Sequence, residues 1–282
     1  MSRSSLLGKI SPVLHATVAL AQRVERMEID FCSVLARAGE PGGGAVIDVG
    51  GGRAVWSSPG APMNKVLGLG VGCVVSDADL DAIEDFYDEH QTPIQIELCP
   101  LAAPDLPSRL SERGYVLKGF ENELACALPA SIPVDSDVRV EIASSDADTE
   151  TWLRVTTEGF ASPDGSGVAT APMPETMKTI SGIMRSFVHP EIVRYLAFVD
   201  GTPAAAASST ITERVLGIFG TATVPAYRRR GAQAAVVARA LRGAIGRADL
   251  AIATTEPGSV SQRTFERFGF QVLYTRAILV RT

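Results

Sequence analysis

The chain is poor in the residues that mark metal or disulfide chemistry, with four cysteines and three histidines among 282 residues. Cys32, Cys73, Cys99 and Cys126 all lie in the first half, without CxxC spacing and without nearby histidines, which argues against zinc. They read as reduced core thiols, an expectation that fits a cytoplasmic location. His15, His90 and His189 are isolated from one another, so no metal site is expected. No apolar run is long enough to span a bilayer, and no membrane association is expected. No low-complexity tract signals disorder. Positive charge is also in deficit: 26 Lys and Arg stand against 32 Asp and Glu, a formal net charge of −6. Nucleic-acid surfaces need broad basic patches, so no nucleic-acid partner is expected.

What remains is a chain that is 46% apolar and long enough for one large or two ordinary domains. At the N-terminus, Arg3 and Lys9 precede "SPVLHATVALA", but Pro12 and His15 interrupt the apolar run. Its periodicity continues through Val24, Met27, Phe31 and Leu35, which predicts an amphipathic helix rather than a secretory signal. Strand-like "GAVIDVGG", "GRAVWSS" and "NKVLGLGV" follow. A helix "DADLDAIEDFYDEH", the strand "PIQIELCP", a short helix to Glu112 and a strand from Tyr115 complete the first half. Leu80, Ile83 and Phe86 share one face of the acidic helix, which leaves its carboxylates as a solvated face. The triple glycines at Gly42–Gly44 and Gly50–Gly52 open no helix and carry no lysine, so hairpin turns are expected rather than a nucleotide loop.

Near residue 130, "ALPASIPVDSD" gathers two prolines and small polar residues, the composition of a linker. Domains are expected over 1–130 and 136–282. The second half opens with the strand "VRVEIA", a helix with Trp152, Leu153 and Phe160, and another with Met177, Ile180, Met184 and Phe187. Three antiparallel strands are predicted from Ile192 to Val224, with Asp200-Gly201 a strong hairpin turn and "TER" a weaker one. A helix with Val236, Val237, Ala240, Leu241, Ala244 and Ile245 on one face should stop at Gly246. "DLAIATT", "SVSQRTFERFG" and "FQVLYTRAILV" then read as strand, helix and strand. Both halves thus run helix, three strands, helix, strand, helix, strand. "LSERGYVL" and "FERFGFQVL" both end a helix at glycine plus aromatic and enter a strand.

The copies differ at one place. "TVPAYRRRGAQAA", from Thr223 to Ala235, joins a strand to a helix through three arginines and a glycine, whereas "VGCVVSD" stands in the first half without arginine. The unpaired N–H groups of a helix start behind a tight glycine turn form an anion site, and Arg228, Arg229 and Arg230 raise the local positive potential. Gly231 permits close approach of a pyrophosphate, so a pyrophosphate-bearing cofactor is the natural ligand.

From about Val138 to Thr282 the chain resembles the GNAT superfamily of acyl-CoA-dependent N-acyltransferases. The family's Gln/Arg-x-x-Gly-x-Gly/Ala signature is met by Arg228, Arg229, Arg230, Gly231 and Ala232, with Gln233 where glycine or alanine is usual. The first half is similar in element order alone, a degenerate copy. The resemblance implies an α/β (α+β) fold of two GNAT-like mixed-sheet domains in tandem, with helices packed on both sides of each sheet. It implies transfer of an acetyl group from acetyl-CoA directly to an amine of an unidentified acceptor. Ala222, Thr223 and Val224 then hold the pantetheine arm, and the amides from Arg229 through Ala232 and Gln233 to Ala234 take the pyrophosphate. Ser261 is a further candidate contact to the cofactor.

Proton transfer is less legible. The family's strand glutamate is missing from "GIFGTATV", and Glu256, after "AIATT", is the nearest candidate base by topology. The usual tyrosine acid falls at Phe265, and Tyr274 on the next strand is the candidate substitute. These losses keep open a non-catalytic acyl-CoA sensor or scaffold, and an unrelated phosphate or nucleotide binder.

Overall fold

The computed structural model describes residues 13–38, 43–130, 132, 137–163 and 177–282. The first half contains α1 (Val18–Arg37), β1 (Ala45–Val49), β2 (Gly52–Trp56), β3 (Lys65–Leu67), α2 (Asp77–Glu89), β4 (Ile94–Leu98), α3 (Leu106–Glu112) and β5 (Val116–Ala127). The second contains β6 (Arg139–Ile142), α4 (Asp146–Phe160), α5 (Met177–Ser186), β7 (Val193–Val199), β8 (Thr202–Thr212) and β9 (Val215–Thr223). A 3-10 turn at Pro225–Tyr227, α6 (Ala232–Gly243), β10 (Leu250–Thr255), α7 (Val260–Glu266) and β11 (Gln271–Arg281) complete it. Arg3, Lys9, Pro12 and Gly42 lie outside the described residues.

Local chemistry explains most of these elements. Thr17, Ser76, Ser145 and Ser259 each cap a helix by accepting a backbone N–H, and Ser76 and Ser145 do so within capping boxes closed by Asp79 and Asp148. Left-handed residues at Gly50-Gly51, Asp200-Gly201 and Glu213-Arg214 turn the three tight hairpins. Helix α6 is shorter than its pattern suggests: it ends at Gly243, and Ile245, expected on the apolar face, is 60% exposed in the following turn.

The expected mixed sheets are present, but they are joined into one of eleven strands in the order β1-β2-β3-β4-β11-β5-β10-β9-β8-β7-β6. The pairs β3–β4 and β9–β10 are parallel and the others antiparallel. Each half surrenders its last strand to the other: β11 pairs with β4, β5 pairs with β10, and the exchanged strands pair with each other.

Helices cover both faces of this sheet. On one face α2 and α3 bury Leu80, Ile83, Leu106 and Leu110 over the first half, and α6 and α7 bury Val236, Val237, Leu241 and Phe265 over the second. On the other face α1 packs against both halves. Its Phe31 and Leu35 share a core with Val55 and Leu67 of the first half and with Trp152, Phe187 and Ala206 of the second. Phe31 stacks on Phe219 of β9 with ring centroids 3.8 Å apart. Burying a side chain of this kind stabilises by roughly 1.5–3 kcal/mol, so α1 fastens both halves at once. Among the described residues, no helix is long and apolar enough to cross a membrane.

Candidate active site

The parallel pairing of β9 with β10 runs from Val215↔Leu250 to Gly217↔Ile252 and stops. Beyond it β10 stays bound to β5 as far as Thr255↔Asn122. Strand β9 turns aside at a bulge, where its register against β8 slips and Gly220 adopts φ +58°. Its backbone from Ile218 to Thr223 therefore faces a gap where a ladder partner would be. Helix α4 presses against the end of this strand through Gly159, where an added Cβ would come within 2.8 Å of the Ala222 Cβ and 3.1 Å of the Thr223 nitrogen.

The chain then folds back into an anion-ready loop. The Val224 N–H closes the strand on the Ala204 carbonyl at 2.9 Å, and the 3-10 turn leads to Arg229 at φ +61° and Gly231 at φ +79°. Extended backbone at Arg228 followed by left-handed Arg229 and Gly231 turns the chain sharply into the start of α6. Gly231 caps α6 without any side-chain hydrogen bond, and the Ala235 N–H is bonded to the Gly231 carbonyl at 3.0 Å. The amides of Ala232, Gln233 and Ala234 precede that bond and point along the positive end of the helix dipole. A Cβ on Gly231 would meet nothing within 4 Å, so its φ is what calls for glycine and the space before it is open.

The three arginines have unequal duties. Arg228 donates from Nη2 to the Ser162 carbonyl, and Arg230 is paired with Asp200 at 2.7 Å. Arg229 is exposed and forms no ion pair among the described residues. Gln233 reaches the other way: its Nε2 donates to Thr221 Oγ1 at 3.3 Å and to Ser261 Oγ at 3.1 Å. Ala222, Thr223, Val224, the loop, Gln233 and Ser261 are thus brought together at the open end of the β9–β10 pair, with the Gln233 amide reaching both β9 and α7.

Glu256 follows β10 at this same end and is half-buried. Tyr274 is elsewhere. It sits on β11, which the order β9-β10-β5-β11 places three strands from β9, about 14 Å by strand spacing. Its hydroxyl donates to Glu25 Oε1 at 2.8 Å, and burial, then Glu25, push its pKa well above that of a free phenol. Phe265, expected to stand where the family has a tyrosine, is buried edge-on against Phe270.

Tyr274 belongs to a buried charge cluster that sequence reasoning missed. Arg276, fully buried on β11, pairs with Glu25 at 3.0 Å, Glu97 at 3.2 Å and Glu123 at 2.9 Å, and also with Glu28. Lys65 adds pairs to Glu28 at 3.3 Å and Glu97 at 2.8 Å. Burial, then the neighbouring Glu97, push Glu121 up to about 8, while the charges of Arg276 and Lys65 overcome burial and hold Glu28 down at about 2. Glu123 also touches the site's edge, accepting from Thr254 Oγ1 of β10 at 2.9 Å. The signal in the sequence was charge set within otherwise apolar strands: Lys65, Glu97, Glu123 and Arg276.

Residues 163–270 match the profile of the acetyltransferase (GNAT) family. The match lies within the second half of the chain and covers less than half of its length. Over the whole chain the GNAT fold recurs in solved structures. A GCN5-related N-acetyltransferase from Kribbella flavida is 19% identical, covers 93% of this chain and 95% of its own, and has a TM-score of 0.66. One from Sphaerobacter thermophilus is 13% identical over 98% of this chain and 96% of its own, with a TM-score of 0.56. A tandem GNAT protein of the clavulanic acid biosynthesis pathway is 13% identical over 94% of each chain, with a TM-score of 0.54. At these identities the likeness is one of fold. No curated protein sequence matches significantly.

Proposed function

We propose that the chain is an acetyl-CoA-dependent N-acetyltransferase that passes an acetyl group directly to a primary amine. The observation that carries this reading is a helix N-terminus left without a side-chain cap at Gly231, beside the gap where β9 leaves β10. In this reading the amides from Arg229 to Ala234 hold the pyrophosphate, with Arg229 adding its charge. The side of β9 turned away from β8 at Ala222 and Thr223, with Val224 next to it, takes the pantetheine arm, and Ser261 with Gln233 lines its far side. Arg228 and Arg230, engaged with Ser162 and Asp200, shape the loop more than they meet the ligand.

Transfer forms a C–N bond as the thioester C–S bond breaks, so the chain must place the amine, take its proton and release a thiolate. Glu256 is our candidate base, from its place at the open end of β10. We assign Tyr274 to the charge cluster rather than to the thiolate, because two strands lie between it and β9 and its proton is already donated to Glu25. A CoA thiolate is a good enough leaving group to depart without a side-chain acid. The runner-up is a binding protein without turnover, favoured by Phe265. Burial raises the thiols of Cys32 and Cys99 to about 12, which makes them inert core groups.

Calorimetry with acetyl-CoA and thiol release against a panel of amines test the proposal together. Wild-type chain should bind one acetyl-CoA and release thiol with at least one amine. Gly231→Glu should weaken binding by roughly a hundredfold, because its carboxylate enters the anion site. Gly231→Asn, which tolerates the left-handed region without adding charge, should keep most of the affinity. Unchanged affinity in folded Gly231→Glu removes the loop from the cofactor site, and binding without turnover leaves the sensor.

A further inference from the structure

We propose a second ligand site at the opposite end of the second half, for a small phosphorylated molecule. A cavity of about 800 Å³ opens there between α1, the start of β7, the end of β8 and the second half of α6. That volume lies inside the range of roughly 300–1,000 Å³ that holds small organic ligands. It is separate from the acetyl-transfer site. Leu216, at the start of β9, lines the cavity, and Thr223 stands seven residues further along that strand, about 23 Å away.

The lining is chemically selective. In a chain of net charge −6 it places Arg37, Arg53, Arg239 and Arg247 against two carboxylates, Asp30 and Glu191. Arg53 is already spent on Asp30 at 3.1 Å and on Asp48 at 2.6 Å. Arg37, Arg239 and Arg247 form no ion pair among the described residues, and Arg247 has only a long 3.5 Å hydrogen bond to the Gly243 carbonyl. The surplus of two positive charges over the whole lining matches the charge of about −1.5 to −2 on a phosphate monoester. Guanidinium forks suit its three oxygens. The Thr210 hydroxyl and the Tyr195–Ser209 pair, whose hydroxyls are bonded to each other at 3.0 Å, add polar groups, and Phe31, Ile192 and Ile211 give an apolar wall for an organic body.

Both halves contribute. Arg37 and Phe31 come from α1 of the first, and Arg239 comes from α6, the helix whose other end carries the loop at Gly231. Neither the family fold nor the acetyl-transfer reading requires this cavity, and it stands or falls apart from them.

The probe is phenyl phosphate, titrated calorimetrically into the full chain and into Gly231→Glu, with phenol and benzoate in parallel. One saturable site per chain is expected, with equal affinity in Gly231→Glu. Binding should weaken about tenfold or more in the double variant Arg239→Gln/Arg247→Gln. Arg37→Gln, on the exposed end of α1, reports the same loss without touching α6. The proposal is overturned by the absence of saturable binding in the millimolar range, by loss of binding in Gly231→Glu, or by indifference to all three arginine replacements. Equal binding of phenol or benzoate overturns the phosphate assignment. Acetyl-CoA affinity in the arginine variants, expected unchanged, keeps this outcome distinct from any failure of the acetyltransferase reading.

Discussion

Helix α2 of the first half starts behind Ser76, whose hydroxyl accepts the Asp79 N–H at 3.1 Å while Asp79 accepts the Ser76 N–H at 2.7 Å. Helix α6 of the second starts behind Gly231, which has no side chain to give. The strands that precede them differ in the same sense. After β3 the chain is stitched to the segment following β4, through a bridge between Val71 and Ala102 and a bond from the Ala103 N–H to the Gly70 carbonyl at 3.0 Å. After Gly217 the described ladder between β9 and β10 simply ends. The first half thus satisfies from within the groups that the second leaves unsatisfied. Asp79 also accepts the Gly50 N–H, so a carboxylate already sits where an incoming anion would need those amides. In the proposed reading, one fold used twice keeps a ligand site only where its own side chains and backbone decline to fill it.

The largest expected effect breaks the comparison at its base, since each half exists only around the other's last strand. Arg276 on exchanged β11 ties α1, β4 and β5 together through four carboxylates. Arg276→Met should destabilise the chain by about 3–5 kcal/mol, because it strands buried negative charges rather than replacing the whole network. Chemical denaturation measures it. A loss within about 1 kcal/mol would mean that those carboxylates are neutral or reach water when the arginine is gone, and that the exchange is held by packing alone.

Much of this arrangement was legible residue by residue and little of it pair by pair. Helix and strand order, the Asp200-Gly201 hairpin and the loop at Gly231 follow from local periodicity and turn chemistry. The exchange of β5 and β11 does not, because an alternating apolar strand is chemically acceptable to any neighbour and its partner lies far along the chain. The charge cluster was hidden for the same reason. Glu25 and Glu28 stand among the apolar positions Val24, Met27 and Phe31 of α1, and only the pairing of distant strands beneath the helix brings Arg276 and Lys65 to them. Tyr274 was read from its place on the strand after Phe265, and the strand order puts two strands between it and β9.

A smaller effect sharpens the contrast between a closed channel and a closable one. Among the described residues of the second half, the Gln233 side chain reaches from α6 to Thr221 and Ser261. Gln233→Ala should tighten acetyl-CoA by a few-fold, since two modest hydrogen bonds no longer have to be broken on entry. Stoichiometry by calorimetry should remain one per chain. It should remain one even after Asp79→Ala, because the backbone stitches at Val71 and Gly70 survive. Two sites per chain would show that the first half is held shut by its capping carboxylate alone.

The smallest expected effect is at Tyr274, where the two halves meet. A tyrosine that protonates the leaving thiolate would, on removal of its hydroxyl, lower kcat by roughly ten- to a thousand-fold with little change in acetyl-CoA affinity. The geometry argues otherwise. The hydroxyl is engaged with Glu25 Oε1, and Glu25 keeps a second donor in Arg276 Nε at 3.1 Å, so the carboxylate is not orphaned when the phenol is lost. Its proton is also held tightly, since burial and Glu25 raise the phenol's pKa, which makes it a poor acid near neutrality. Tyr274→Phe should therefore cost about 1 kcal/mol of stability for one buried hydrogen bond and leave kcat within a few-fold. Steady-state kinetics with an accepted amine, read beside a denaturation curve of the same variant, separates the two roles. A large fall in kcat at unchanged stability would return Tyr274 to the mechanism and require a proton path from β11 across β5 and β10, for which Glu123 and Thr254, bonded at 2.9 Å, are the first groups to replace.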